Sequence, residues 1–405
     1  VLDALHCRSF FYFSREKVVK KKMRFSDTYN VHIVGFATII PLRQVKGVHP
    51  MEAVQDKIID MTELLKFAIQ SGASDLHISA GEPPMFRIHG DIRKLDMESL
   101  TEDEVHTMIY DILNDQQRKM FEEHKELDFS IALGEFGRFR VNVFVQNRGK
   151  GAVLRTIPNV VKSFDELGLP KICREITKAE KGLVLVTGPT GCGKSTTLAT
   201  MLDTINTNSS KHIITIEDPI EFIHQSKKCV VNQREVGAHT HSFANALRSA
   251  LREDPDVILV GEMRDLETIS LALTASETGH LVFATLHTSS APKTIDRIVD
   301  VFPPGQQAQT RTMLSETLYA VISQILLKRP DGQGRIPALE IMICTPAIRN
   351  LIRESKSAQI VSTLQTSQQF GMQTMEMAVK NLLARRLITA DEAQPILADL
   401  TKAPQ

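Results

Sequence analysis

The string Gly188-Pro189-Thr190-Gly191-Cys192-Gly193-Lys194-Ser195 constrains the fold more than any other feature of this sequence. It fits G-x-x-x-x-G-K-[ST], follows the apolar run Leu183–Val186 and precedes a helical stretch that opens at Thr196. At average residue usage the bare pattern arises by chance in on the order of one per cent of chains this long. A strand–loop–helix context lowers that further. Glycines let backbone N–H groups close around phosphate oxygens, and a helix start adds the positive end of its dipole. Lys194 then reaches the outer phosphates, and Ser195 can hold Mg²⁺.

The surrounding pattern predicts a mostly parallel α/β sheet. Short continuous apolar runs at Leu183–Val186, Ile213–Ile216, Val257–Val260 and Leu281–Phe283 suit strands buried on both faces, with helices between them. After Pro346 the chain reads as helical, with Thr389 and Glu392 spaced as a capping box. Such sheets bind ligands at the carboxyl ends of their strands. Three strand ends carry reactive groups: Glu217, Asp218 and Glu221 after the second run, Glu262 after the third, and His287 after the fourth. One carboxylate there can position Mg²⁺ through water, here Glu217 or Asp218. Another can orient or deprotonate the attacking water, and a histidine can sense the γ-phosphate. Each residue alone has an ordinary structural reading, as an N-cap or a core histidine, and the repetition beside a phosphate loop favours chemistry. Arginines that could meet the charge of the transition state are Arg138 and Arg140 on one face of an alternating strand, Arg155 on a neighbouring strand, and Arg248 and Arg252 on one helix.

Upstream, residues 59–157 predict a small α+β domain. A helix lies near 62–69, then come strands at 75–79, a hairpin at 85–95, a helical stretch over about 102–122, and strands at 128–132, 138–145 and 152–157. Residues 158–405 are expected to form the nucleotide domain, its last part (about 346–405) helical. Residues 1–50 hold nine Lys/Arg against three Asp/Glu, although the whole chain is balanced at 48 and 48. Residues 1–58 are expected to be an extension outside the native fold rather than a targeting arm. Net neutrality, 5% aromatics and no Trp argue against a nucleic-acid motor that stacks bases, so no nucleic acid is expected as a partner. No run of 18 apolar residues appears. The five cysteines are scattered with no C-x-x-C, which argues against a thiolate zinc site and fits a reducing compartment.

The motifs together resemble the secretion ATPases of the type II/type IV pilus superfamily. The matching strings are 188–195, Ile216-Glu-Asp-Pro-Ile-Glu221, Asp254 to Asp265 and Gly279 to Thr288, in the order Walker A, Asp box, Walker B and His box. The string Ala347 to Glu354 resembles the signature of the pilus-retraction branch. The resemblance runs from about residue 59 to the C-terminus. It implies a PAS-like N-terminal domain, a RecA-like ATPase domain and a homohexamer that binds ATP and Mg²⁺. Glu262 would be the catalytic glutamate, Glu221 the Asp-box acid, and His280 and His287 the His-box residues. Arg140 and Arg155 match N-domain arginines that approach the γ-phosphate. The expected partners are an inner-membrane pilus platform protein and, indirectly, pilin, at the cytoplasmic face of a bacterial inner membrane. Assembly ATPases of the superfamily usually carry a tetracysteine zinc module, and its absence favours retraction. Cys192 departs from the family's usual serine. The position contributes mainly backbone, and a thiol there predicts added sensitivity to oxidation.

The residues of 347–354 also read as an ordinary amphipathic helix, with Thr345 suited to the N-cap, Pro346 to the first turn, and Ile348, Leu351 and Ile352 as its apolar stripe. The leading expectation is a motor that powers pilus retraction. An accessory retraction ATPase beside a main motor is the alternative, and a nucleic-acid-dependent motor the less favoured one.

Overall fold

The computed structural model describes residues 60–402, apart from 89, 158–159 and 333. The expected extension at 1–58 lies outside the described residues. The described residues divide into two compact units, one of residues 60–128 and 141–155, the other of 129–140 and 156–402.

The N-terminal elements are α1 (Met61–Gln70), β1 (Asp75–Ser79), β2 (Met85–Ile88), β3 (Asp91–Lys94), α2 (Glu102–Asp111), α3 (Asp115–His124), β4 (Glu126–Ala132), β5 (Arg138–Gln146) and β6 (Gly149–Ile157). The strands form one sheet in the order β3-β2-β1-β6-β5-β4. The single helical stretch expected over 102–122 is two helices. Asn114 starts the second, accepting the Gln117 N–H at 2.9 Å while the Gln117 side chain accepts the Asn114 N–H at 3.0 Å. That reciprocal cap satisfies two donors that a continuous helix would not expose. Along β5, Phe139, Val141 and Val143 are fully buried and alternate with Arg138 and Arg140.

The larger unit continues with α4 (Phe164–Leu167), α5 (Lys171–Ile176), β7 (Gly182–Thr187), α6 (Lys194–Asn208), β8 (His212–Glu217), β9 (Val230–Glu235), α7 (Phe243–Ala250), β10 (Val257–Val260), α8 (Leu266–Glu277), β11 (Leu281–Leu286), α9 (Ala291–Asp300) and α10 (Pro304–Thr317). Then come β12 (Leu318–Lys328), β13 (Arg335–Ile343), α11 (Pro346–Arg353), α12 (Ile360–Thr366), α13 (Met375–Ala384) and α14 (Ala390–Lys402). The sheet order is β13-β12-β7-β11-β10-β8-β9, parallel throughout except for the antiparallel β12–β13 pair at one edge. Strands β7, β10 and β11 are buried at every position, as their continuous apolar sequences require when helices cover both faces. One core packs α7–α12 on one face, and a second packs α5 and α6 on the other. A third joins the outer half of β12–β13 to α13 and α14. The architecture is mixed α/β, with a β-rich N-terminal part and a helical C-terminal region, and is consistent with a RecA-like ATPase fold. No helix among the described residues is long and apolar enough to cross a membrane.

Candidate active site

The loop between β7 and α6 is shaped by glycines in backbone conformations that L side chains avoid. Gly188 has φ +139°, and a Cβ there would lie 2.2 Å from the Gln324 carbonyl oxygen, so only glycine fits. Gly193, at φ +90°, is the N-cap of α6 and offers no side chain to cap it. The first-turn N–H groups of α6 are therefore left to an anion. Pro189, Thr190 and Gly191 form the exposed crest, and Lys194, Ser195 and Thr196 are half-buried at the helix start. The Lys194 ammonium spans the loop, donating to the Gly188 carbonyl at 2.9 Å and the Pro189 carbonyl at 3.2 Å.

Neighbouring strands deliver the other groups. The Gly188 N–H donates to the Leu286 carbonyl at 3.3 Å, which ties the loop's first residue to the end of β11 just before His287. Beyond β10, the Gly261 N–H is held by the Ile216 carbonyl at 2.7 Å and the Met263 N–H by the Thr285 carbonyl at 3.1 Å. This fixes Glu262 between them. The Glu262 carboxylate accepts from Arg264 at 2.5 Å and lies 3.0 Å from His287 Nε2. Burial works to raise the Glu262 carboxyl, but the Arg264 guanidinium and the His287 ring outweigh it and hold the group below the usual range. It is an ionised carboxylate at neutral pH, which can orient and deprotonate a water.

Glu217 is different. Its desolvated carboxyl is pushed above the usual range, although Thr215 donates to it at 2.7 Å, Gln233 at 3.1 Å and the Glu221 N–H at 3.4 Å. Glu217 and Ser195 line one small cavity together with Phe222, His224, Gly261 and Thr285. Hydroxyl and carboxylate oxygens on the wall of one cavity suit a hard cation such as Mg²⁺, and a desolvated carboxylate gains from one. Asp218 and Glu221 are exposed and do not line that cavity.

Three sequence expectations gain no support from the geometry within this chain. His280 stands at the amino end of β11, about 20 Å along the strand from His287, and packs on Ala275 and Thr278. Within this chain the structure does not bring it to the phosphate loop. Cys192 is 3% exposed and burial pushes its thiol up from the usual value, so it is not the accessible thiolate that oxidation needs. Arg252 lies past the end of α7, and Arg248 pairs with Glu267. Of the two N-domain arginines, Arg155 belongs to the smaller unit, where its Nε donates to the buried Asp75 at 2.8 Å. Arg140 stands on β5 within the stretch grouped with the larger unit. Sequence reasoning did not single out Arg264, which lies in the Walker B string, or Gln324, whose strand carried no motif.

The family model described as "Type II/IV secretion system protein" matches residues 51–394. The chain belongs to that family. The match starts before residue 59, where the sequence resemblance was placed. The chain is 61% identical over 336 residues to the "Type IV pilus retractation ATPase PilT" of Pseudomonas aeruginosa, covering 83% of this chain and 97% of that protein. It is 58% identical over 311 residues to a "Twitching motility protein" of Neisseria gonorrhoeae, covering 77% and 83%. The crystal structure of the pilus retraction motor PilT with bound ADP superposes with a TM-score of 0.78 at 51% identity, over 83% of this chain and 96% of that one. The chain is thus a P-loop ATPase of the PilT/GspE family, closely related to the retraction ATPase.

Proposed function

We propose that this chain hydrolyses ATP to power type IV pilus retraction, and with it twitching motility. The observation that carries the chemistry is the ionised Glu262 carboxylate, held by Arg264 and His287 at a strand end beside the phosphate loop. The observation that carries the biology is the 61% identity, over 97% of that protein's length, with a retraction ATPase.

In this reading the loop amides and Lys194 bind the β- and γ-phosphates. Glu262 orients the attacking water and takes its proton, and His287, in contact with Glu262, registers the γ-phosphate. Ser195 and Glu217 would hold Mg²⁺, which would supply positive charge to offset that of the phosphates. Asp218 and Glu221 serve as surrounding acidic residues rather than direct ligands. Arg155 and Arg140 act on the γ-phosphate of a neighbouring subunit in a homohexamer, and Arg155 must then exchange Asp75 for phosphate. The smaller unit works as a PAS-like domain moved by closure on nucleotide. The ring engages a platform protein at the inner membrane from the cytoplasmic side, acts on pilin through it, and needs neither zinc nor nucleic acid.

The test uses a bacterium that lacks its own retraction motor. Expression of this chain should restore twitching, and Lys194→Ala should abolish both ATP turnover and twitching. Wild-type protein that hydrolyses ATP in vitro yet restores no movement in a host whose platform protein binds it would sink the retraction reading.

A further inference from the structure

We infer that Gln324, on β12, is a positioning residue that holds the phosphate loop in its anion-binding shape. The inference rests on the reading that this loop binds ATP. Gln324 is 2% exposed. Its Nε2 donates to the Cys192 carbonyl at 2.6 Å, and its Oε1 accepts the Thr197 hydroxyl at 2.8 Å. One side chain therefore grips both the loop and the first turn of α6. An uncharged amide carries a donor and an acceptor on one planar group, which is what these two partners demand.

The grip has a directional consequence. In a planar trans peptide the C=O and the following N–H point to opposite sides. With the Cys192 carbonyl drawn onto Gln324, the Gly193 N–H must point away from it, into the cradle where phosphate oxygens are received. The strand supports this from two further points. The Gln324 backbone oxygen is packed so close to Gly188 that no Cβ fits between them. The adjacent Ser323 hydroxyl is 2.8 Å from that of Thr187, at the end of β7. The loop is thus braced at its start, its turn and its helix by two consecutive residues of one strand.

The test is steady-state ATP hydrolysis by the full chain, with wild type, Gln324→Met and Gln324→Glu. Methionine keeps the volume and removes both hydrogen bonds. It should raise KM for ATP by about tenfold or more, the scale of one lost buried hydrogen bond, with a smaller change in kcat. Glutamate adds a readout that mere packing would not move. Ionised, it has no proton to offer the Cys192 carbonyl; protonated, it has one. The KM penalty of Gln324→Glu relative to wild type should therefore shrink as pH falls from 8 to 6, while that of Gln324→Met stays flat. A folded Gln324→Met protein with wild-type KM overturns the inference. If that variant does not fold, Gln324→Glu decides: a penalty that shrinks on acidification supports the inference, and one that is flat or missing overturns it. Wild-type protein that does not turn over ATP overturns instead the reading on which this one rests.

Discussion

At the scale of single residues, the site holds two acids that their surroundings shift in opposite directions. Glu262 is held down by a guanidinium and an imidazole, whereas Glu217 is pushed up by burial. In its proposed role as the base, the depressed group loses its active form only as pH falls through a value below the ordinary glutamate range. Removing Arg264 takes away the closest cation and leaves the burial. In Arg264→Ala the acid limb of the kcat–pH profile should move to higher pH, and an unmoved limb would show that Arg264 does not set the ionisation of Glu262. Glu262→Gln should still bind ATP but hydrolyse it at least 10²-fold more slowly, the scale of lost general-base catalysis. Nucleotide affinity and single-turnover rate measure the two effects separately. Cys192 yields the opposite kind of prediction. Its thiol is buried and its pKa is raised, so Cys192→Ser and wild type should respond equally to hydrogen peroxide. A wild-type loss of activity that the serine variant escapes would show that the loop opens enough to expose the thiol.

At the scale of elements, the β12–β13 hairpin joins the phosphate loop to the helices around it, and sequence reasoning left it unread. Beyond its grip on the phosphate loop, β13 carries the buried Glu340. Its carboxylate accepts the Ala291 N–H at 2.7 Å and a second N–H from Met375, so one side chain caps α9 and α13. Burial raises the Glu340 carboxyl despite those bonds and the nearby Lys293. With a folded pKa above the unfolded one, its contribution to stability is fully present below the unfolded value and is lost as pH rises through the folded value. The stability of wild type relative to Glu340→Gln, which does not titrate, should therefore fall as pH rises above the ordinary glutamate value. Urea midpoints at several pH values test this, and a constant difference would remove Glu340 as the titrating cap. The strands β7, β8, β10 and β11 were legible because each is a short apolar run bounded by Gly, Pro or charge. Strand β12 follows α10 with no such punctuation at Thr317–Leu318, and an apolar run without a boundary reads equally as helix or strand. β9 is an edge strand of mixed polarity and gives no clear period. The break before α3 did carry its signal, Asn114 with Gln117 three residues on. The capping expectation at α14 held in its first half: the Thr389 hydroxyl accepts the Glu392 N–H at 3.3 Å, while the Glu392 carboxylate accepts the Lys328 N–H.

At the scale of the whole molecule, a motor must separate the chemistry from the work, and α11 is where this chain permits that test. Its apolar stripe seats as the sequence spacing predicts, with Ile348 and Ile352 fully buried and Leu351 packed against the same core. Thr345 and Pro346 occupy the expected N-terminal positions, although the Thr345 hydroxyl makes no capping bond. The two arginines of the helix, Arg349 and Arg353, differ in their surroundings. Arg349 is half-buried and its Nε donates to the Cys344 carbonyl at 3.2 Å, closing the turn that links β13 to α11. Arg353 is exposed at the helix C-terminus. A double substitution would therefore mix a fold effect with a surface effect. Arg349→Ala should cost about 1 kcal/mol of stability by losing a side chain–backbone bond. Arg353→Ala should change stability by no more than about 0.5 kcal/mol, as exposed positions do. If the outer face of α11 passes the stroke to a partner, Arg353→Ala keeps its ATPase rate within about twofold and its melting temperature, yet restores little or no twitching in a strain without a retraction motor. Full twitching with Arg353→Ala, beside a defect in Arg349→Ala that tracks its lost stability, would make α11 a core helix and place the coupling surface elsewhere on the chain.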